Sequence, residues 1–284
     1  MRLSDALNIA VSVLAQNGIE DHVTEAIVLL CYLLNIDNSR FYAEPERELS
    51  PGEVGSLDVL IARRISGEPS AYITQSRQFY GIDLYIDSRV LVPRPETEIL
   101  VNAVVRFTSN HPLPHNPRLI ADIGTGSGAI TIALAKHVAD CRIFASDISP
   151  EALEVAAINI QRHSLGEIVT LRQGYLLEPL EICVDIIVAN LPYISDSDYA
   201  KLQREIAEHE PELALKGGLT GIELIRELMA QSKTMLSTGG ALFIEIGLGQ
   251  EDDLLAHARS VFSGANLSLI PDYAGINRVI SIVT

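Results

Sequence analysis

The last two-thirds of the chain alternates short apolar runs with longer amphipathic ones, and this alternation limits the fold more than any other feature. From about residue 96, the runs RLIADIG, RIFASDI, IVTLRQG, VDIIVANLPY, GGALFIEIG and finally RVISIV read as strands. Between them AITIALAKHV, PEALEVAAINIQRH and IELIRELMAQSKTML repeat their apolar residues at helical spacing. Apolar strands separated by helices imply an α/β domain, a mostly parallel sheet covered on both faces. Such sheets bind ligands at the carboxyl ends of their strands, where strand order reverses.

The first seventy residues read as helices only. Leu3, Leu7, Ala10, Val11 and Leu14 recur at helical spacing, Ser4 can cap the start, and Asn17-Gly18 ends the run. A second helix follows Thr24, and Ser50-Pro51-Gly52-Glu53 is a capping box opening a third that Gly67 closes. QFYGIDLYIDSRVLVP then has strand alternation, with Gly81-Ile82-Asp83 as the turn. The expected organisation is a helical bundle over 1–70, a bridging β-hairpin over 71–95, and the α/β domain over 96–284.

The chain has 284 residues, a formal net charge of −16 and only 21 basic residues spread along its length. Neutralising a phosphate backbone takes a concentrated Lys/Arg face, so no direct nucleic-acid partner is expected. The same charge suits a basic protein partner. No apolar stretch approaches the ~20 residues of a spanning helix, and MRLSDALNIAVSVLAQNG lacks a signal-peptide layout, so no membrane role is expected. Cys31, Cys141 and Cys183 lie far apart in apolar runs, which predicts buried free thiols in a reducing cytoplasm. Scattered histidines, His163 and His209 among them, form no metal-ligand pattern, so no metal is expected.

Asp122-Ile123-Gly124-Thr125-Gly126-Ser127-Gly128 follows one strand and opens a helix. Its alternating glycines allow a tight turn and close approach of a ligand to the main chain. Ser127 lacks the context of a nucleophile elbow. Asp147 ends the next strand, where a carboxylate can accept from both ribose hydroxyls of an adenosine. Together these indicate an adenosine cofactor and leave S-adenosylmethionine and NAD both open.

Asn190-Leu191-Pro192-Tyr193, after the strand VDIIVA, favours methyl transfer. An amide nitrogen is a poor nucleophile because its lone pair is delocalised. Two acceptors, the Asn190 side-chain oxygen and the Leu191 carbonyl, can take both N–H bonds and aim that pair at a sulfonium methyl. Pro192 stiffens the loop and Tyr193 offers an aromatic face. Seen alone, Asn-x-Pro-Tyr is an ordinary strand-ending turn. An NAD-dependent oxidoreductase leaves the tetrapeptide unexplained, and an adenine-N6 methyltransferase needs a basic groove.

At this point the chain resembles the protein-(glutamine-N5) methyltransferases that modify class-1 peptide-chain release factors. The resemblance rests on VLVPRPETEILV at 90–101, DIGTGSGAITIALA at 122–135 and DISPEALEVAAIN at 147–159. HEPELALKGGLTG at 209–221, EIGLGQ at 245–250 and DYAGINR at 272–278 extend it. It implies a Rossmann-like, seven-stranded S-adenosylmethionine-dependent methyltransferase domain whose last strand pair is antiparallel, with a helical domain that helps grip the release factor. The expected product is N5-methylglutamine in the factor's Gly-Gly-Gln loop, with S-adenosylhomocysteine released. Carried over by position, Gly124, Thr125, Gly126, Ser127, Gly128, Asp147 and Asn190 would contact the cofactor, and Asn190, Leu191, Pro192 and Tyr193 the substrate glutamine. Asn190, Pro192 and Tyr193 would form the catalytic loop. The chain departs from the family at Leu191, where a second proline is usual, at Gly174-Tyr175, where Tyr175 could stack on adenine, and at Thr220. Arg94, Glu96 and Glu98 are read either as lining the site or as a charge-paired helix start.

Overall fold

A computed structural model describes residues 1–111 and 114–284. They form two compact units, Met1–Ser76 with Gln203–His209, and Arg77–Leu202 with Glu210–Thr284.

The first unit is helical. α1 (Leu3–Gln16), α2 (His22–Leu34), α3 (Asn38–Ala43), α4 (Pro51–Ile65) and α5 (Ser70–Thr74) bury Leu3, Leu14, Leu29, Leu30 and Leu57 in one core. Ser4 is not the cap: α1 starts at Leu3, two residues earlier than a Ser4 cap would place it, and the N–H of the capping residue Arg2 donates to Asp5 at 3.3 Å. α2 likewise begins at His22, ahead of Thr24. The capping box of α4 is made in both directions, Glu53 N–H to Ser50 Oγ at 3.2 Å and Ser50 N–H to Glu53 at 2.7 Å. Arg64 is buried between Glu25 (2.9 Å) and Glu205 (2.8 Å), which ties residues 203–209 to this unit.

The second unit opens with the hairpin β1 (Arg77–Phe79) and β2 (Ile82–Leu84). Its turn is Tyr80-Gly81, with φ of 54° and 71°, the left-handed pair that a tight hairpin requires. Ile82 and Asp83 therefore belong to β2 rather than to the turn. The strand reading also fails beyond Leu84. Asp87 accepts from the Arg89 N–H at 3.0 Å and from its guanidinium, a local alternative to a ladder, and two prolines follow. The chain reaches a 3₁₀ turn at Pro95–Thr97 and then α6 (Glu98–Asn110).

Next come β3 (Arg118–Ile123), α7 (Ala129–His137), β4 (Cys141–Asp147), α8 (Pro150–Arg162), β5 (Val169–Gln173) and β6 (Val184–Ala189). After β7 (Ile194–Ser195) and α9 (Asp196–Tyr199), α10 (Arg204–His209) lies in the first unit. The chain closes with β8 (Lys216–Gly218), α11 (Glu223–Met235), β9 (Leu236–Glu245), α12 (Glu251–Val261), β10 (Asn266–Pro271) and β11 (Asn277–Val283).

The main sheet has seven strands in the order β10-β11-β9-β6-β3-β4-β5. The five from β9 to β5 run parallel, and β11 is antiparallel to both neighbours. This is the expected Rossmann-like sheet. Of its strands, only β10 is absent from the sequence reading; it is an edge strand whose Leu267 and Leu269 alternate with polar residues and whose residues are all at least partly exposed. β6, by contrast, is buried along its whole length. Strand order reverses at β3, which lies between β4 and β6, and opens a crevice at their carboxyl ends.

Candidate active site

That crevice holds a cavity lined by Gly124, Thr125, Gly126, Ser127, Asp147, Gly174-Tyr175 and Asn190 to Pro192. Gly124, Gly126 and Gly128 have φ of 73°, 54° and 81°, which L side chains rarely adopt. The loop is held from below. Asp122, fully buried, accepts from the hydroxyls of Thr125 (2.8 Å) and Thr131 (2.6 Å), and burial pushes its carboxyl up to about 6. Gly128 is not on the cavity wall. It caps α7 and packs on α8, where a Cβ would meet Ala156 at 3.5 Å.

Asp147 accepts from the N–H of Gly126 (2.8 Å) and of Ser149 (3.0 Å), one bond to each carboxylate oxygen. Burial raises its pKa although these amides favour the anion. The Ile148 amide also favours the anion, and the carboxylate retains accepting capacity for a further donor. Tyr175 forms another wall, its hydroxyl fixed on Glu227 at 2.6 Å. Asn159 of α8 is wholly buried. It donates to the carbonyls of Ser127 and Tyr85, both at 2.9 Å, and so fastens the glycine loop to the segment after the hairpin.

Asn190 and Leu191 follow β6. The Leu191 side chain turns inward, 5% exposed, with Cδ2 3.0 Å from the point where a Gly124 Cβ would lie. The leucine that replaces the family's proline thus fills space against the glycine loop. Asn190 Nδ2 donates to Thr97 Oγ1 at 3.1 Å. Tyr193 is not on the cavity wall. Its ring packs against the core, its hydroxyl approaches Glu245 Oε1 at 3.4 Å, and burial raises its pKa.

The tetrapeptide backbone is braced by two glycine turns. A Cβ at Gly217 would lie 2.5 Å from the Pro192 carbonyl oxygen, and one at Gly221 would overlap that of Tyr193. Gln250 locks this arrangement, with Nε2 donating to the Tyr193 carbonyl at 2.8 Å and Oε1 accepting from the Gly247 N–H at 2.8 Å.

The signature at 93–98 divides its tasks. Arg94 lines the cavity and pairs with buried Glu210, which also accepts from the Val92 N–H at 3.2 Å. Glu98 serves the hairpin, accepting from the Tyr80 N–H at 2.8 Å. Thr220 donates its N–H (2.9 Å) and hydroxyl (2.8 Å) to Glu223 in the first turn of α11. Of the three free cysteines, Cys141 is buried as expected, Cys31 is half-buried and Cys183 is exposed. Among the described residues no cluster of His, Cys, Asp or Glu could hold a metal, and no helix is long and apolar enough to cross a membrane. Thr97, Asn159, Glu245 and Gln250 received no role in the sequence, although each lies in a run that carries the family resemblance.

Comparison with known proteins adds independent findings. Residues 5–74 match the family model described as the PrmC N-terminal domain, and residues 120–210 match a methyltransferase domain model. A release factor glutamine methyltransferase of Moorella thermoacetica is 39% identical over 279 residues, covering 98% of this chain and 97% of that one. Its counterpart in Clostridium acetobutylicum is 34% identical over 99% of this chain and 98% of its own. Among solved structures, a methyltransferase from Pyrococcus furiosus aligns with a TM-score of 0.52 at 18% identity, covering 78% of this chain and 96% of that one. The hMettl16 catalytic domain in complex with MAT2A 3'UTR hairpin 6 aligns at 0.57 and 15% identity, covering 75% and 79%. These likenesses concern the fold.

Proposed function

The chain belongs to the release factor glutamine methyltransferases, and from that premise we propose how its cavity works and which glutamine it modifies. It is an S-adenosylmethionine-dependent enzyme that methylates release factor glutamine. The acceptor in our reading is the N5 amide of the glutamine in the Gly-Gly-Gln motif of class-1 factors, and its methylation acts on translation termination. The helical domain, residues 1–70, helps to grip the factor.

When bound, S-adenosylmethionine supplies a methyl group on a positively charged sulfur; transfer breaks that sulfur–carbon bond, forms a nitrogen–carbon bond, leaves the electron pair on sulfur as S-adenosylhomocysteine, and releases one amide proton to water. The residues at hand fit such a group. A Cβ at Gly126 would meet nothing within 4 Å, so the loop leaves room for close approach of a ligand. Asp147 offers its carboxylate to ribose hydroxyls, and the anchored Tyr175 ring offers a face to adenine.

On the substrate side, Asn190 Oδ1 and the Leu191 carbonyl accept the two N–H bonds of the glutamine amide. The described residues donate no hydrogen bond to that carbonyl. Holding both N–H bonds turns the nitrogen lone pair toward the methyl group, so positioning supplies most of the rate. No general base is required, because the methylated nitrogen is strongly acidic. Pro192 stiffens the loop, and Tyr193 supports it from behind.

The observation that carries this reading is the meeting of Asp147, the glycine loop and the Asn190-Leu191 pair on one cavity. Its test is the intact mass of a purified release factor after incubation with the enzyme and S-adenosylmethionine. A gain of about 14 Da is expected, one methyl group, and none with Asn190→Ala. An unmodified factor, in the presence of measured cofactor binding, would overturn the substrate assignment.

A further inference from the structure

Large apolar side chains scattered singly over a surface are ordinary, so only their distribution is informative. Among the described residues of the second unit, six such side chains are exposed: Ile148, Ile182, Leu213, Leu219, Leu248 and Tyr273. Five of them sit at one end of the main sheet. Ile148 follows β4, Leu213 and Leu219 follow β6, and Leu248 follows β9, all at the carboxyl ends of parallel strands. β10 runs the same way as β9, since β11 is antiparallel to both, so the turn carrying Tyr273 emerges there too. Only Ile182, ahead of β6, lies at the other end. The crowded end is the one where the cavity opens, and Ile148 and Leu213 belong to its wall.

Leu219 and Leu248, 77% and 75% exposed, lie within the two turns packed against the tetrapeptide. The turns adjoin: Gln250 Nε2 donates to the Tyr193 carbonyl at 2.8 Å and reaches that of Gly221 at 3.4 Å. Gly218-Leu219-Thr220-Gly221 and Gly247-Leu248-Gly249-Gln250 contain no charged side chain, although the chain carries a net −16. A neutral apolar pair among glycines suits a neutral protein segment whose main chain comes close, as the charge-poor centre of an interface requires. We propose that Leu219 and Leu248, continued by Leu213 at the cavity wall, form the surface on which the release factor lays the neutral segment that carries its glutamine. A glutamine enters the cavity only if the chain on either side of it lies across this rim. The inference rests on the release factor glutamine as acceptor, argued above.

The test is steady-state methylation of intact release factor by the double variant Leu219→Ser, Leu248→Ser, with Ile182→Ser as the control at the opposite end of the sheet. KM for the factor rises about 10- to 100-fold in the double variant, as the loss of buried leucine contacts costs. Its kcat and its affinity for S-adenosylhomocysteine stay within about 3-fold, because the glycines and Gln250 that brace the tetrapeptide are retained. Ile182→Ser leaves KM within about 3-fold, and an equal rise there overturns the inference. Unchanged KM in the double variant, with the wild type methylating the factor, overturns the inference and leaves the acceptor reading intact. A wild type that binds cofactor and never methylates the factor overturns both. Sedimentation tests the other occupant: a dimer of the wild type that the double variant loses, with KM unchanged, assigns the surface to a second copy and overturns the proposal. If the double variant does not fold, Leu248→Ser alone carries the test, with a rise in KM of about 3-fold or more expected. Unchanged KM there overturns the inference.

Discussion

The glycine loop and the tetrapeptide line the same cavity, yet they are built in opposite ways. The loop is made largely by its neighbours in sequence: glycines at left-handed φ, Asp122 beneath Thr125 and Thr131, and Asp147 holding the Gly126 amide. The tetrapeptide is held by residues remote in the chain, Thr97 to its side chain and Gly217, Gly221 and Gln250 against its backbone. A cofactor common to many enzymes can be met by a local motif. A neutral amide, offering little but shape and two N–H bonds, needs a loop aimed by the rest of the fold. The two halves of the site should accordingly fail separately.

The largest separation is expected at Gly221→Ala. The added methyl overlaps the Tyr193 carbonyl oxygen at a φ of 80°, so the tetrapeptide must shift. A displacement near 1 Å costs about 100-fold in turnover. Calorimetry should find S-adenosylhomocysteine affinity within about 3-fold of wild type. Equal loss of both would break the comparison. The converse variant, Asp147→Ala, removes the acceptor of the Gly126 and Ser149 amides together with the proposed ribose ligand. Cofactor affinity should fall by about 10- to 100-fold, the worth of hydrogen bonds to a charged group. Saturating cofactor should recover much of the turnover, and no recovery would argue that Asp147 does more than bind.

Gln250→Ala is smaller in scope. It leaves the Tyr193 carbonyl and the Gly247 N–H without their partner, a cost of about 1–3 kcal/mol shared between stability and loop order. Methyl transfer should drop by about 10-fold with cofactor binding unaffected, as steady-state kinetics would record. The mildest effect is on stability against pH. Burial pushes Glu245 from 4.5 up to about 7. Between those values the folded protein binds more protons than the unfolded chain, so stability falls as pH rises through that window. Asp122, raised from 3.8 to about 6, acts in the same direction at lower pH. Melting curves of Glu245→Gln should fall less between pH 5 and pH 8 than those of the wild type; a parallel fall would show that Glu245 is ionised throughout.

The same contrast explains what the sequence disclosed. The glycine loop, Asp147 and the parallel strands were legible because each is a local pattern: apolar run, turn, helix. β10 was hidden by its partial exposure as an edge strand, and the turn at Tyr80-Gly81 by a non-glycine residue at positive φ. Asn190 and Leu191 were proposed from chemistry, a side-chain oxygen and a neighbouring main-chain carbonyl placed at the end of a strand. Their support was not. Thr97 looks like a helix-start residue and Glu245 like the end of a strand, and only the β6–β9 register brings them together. Tyr193 was expected to face the substrate; its half-buried ring packs against the core, with its hydroxyl toward Glu245.

The most direct test of the central claim is tandem mass spectrometry of release factor methylated by this enzyme, alongside a factor whose Gly-Gly-Gln glutamine is replaced by alanine. One methyl group on the side-chain nitrogen of that glutamine, and none on the replaced factor, is the predicted result. A methyl group elsewhere, or equal methylation of both factors, would contradict the assignment of Asn190 and Leu191 as the cradle of a glutamine amide.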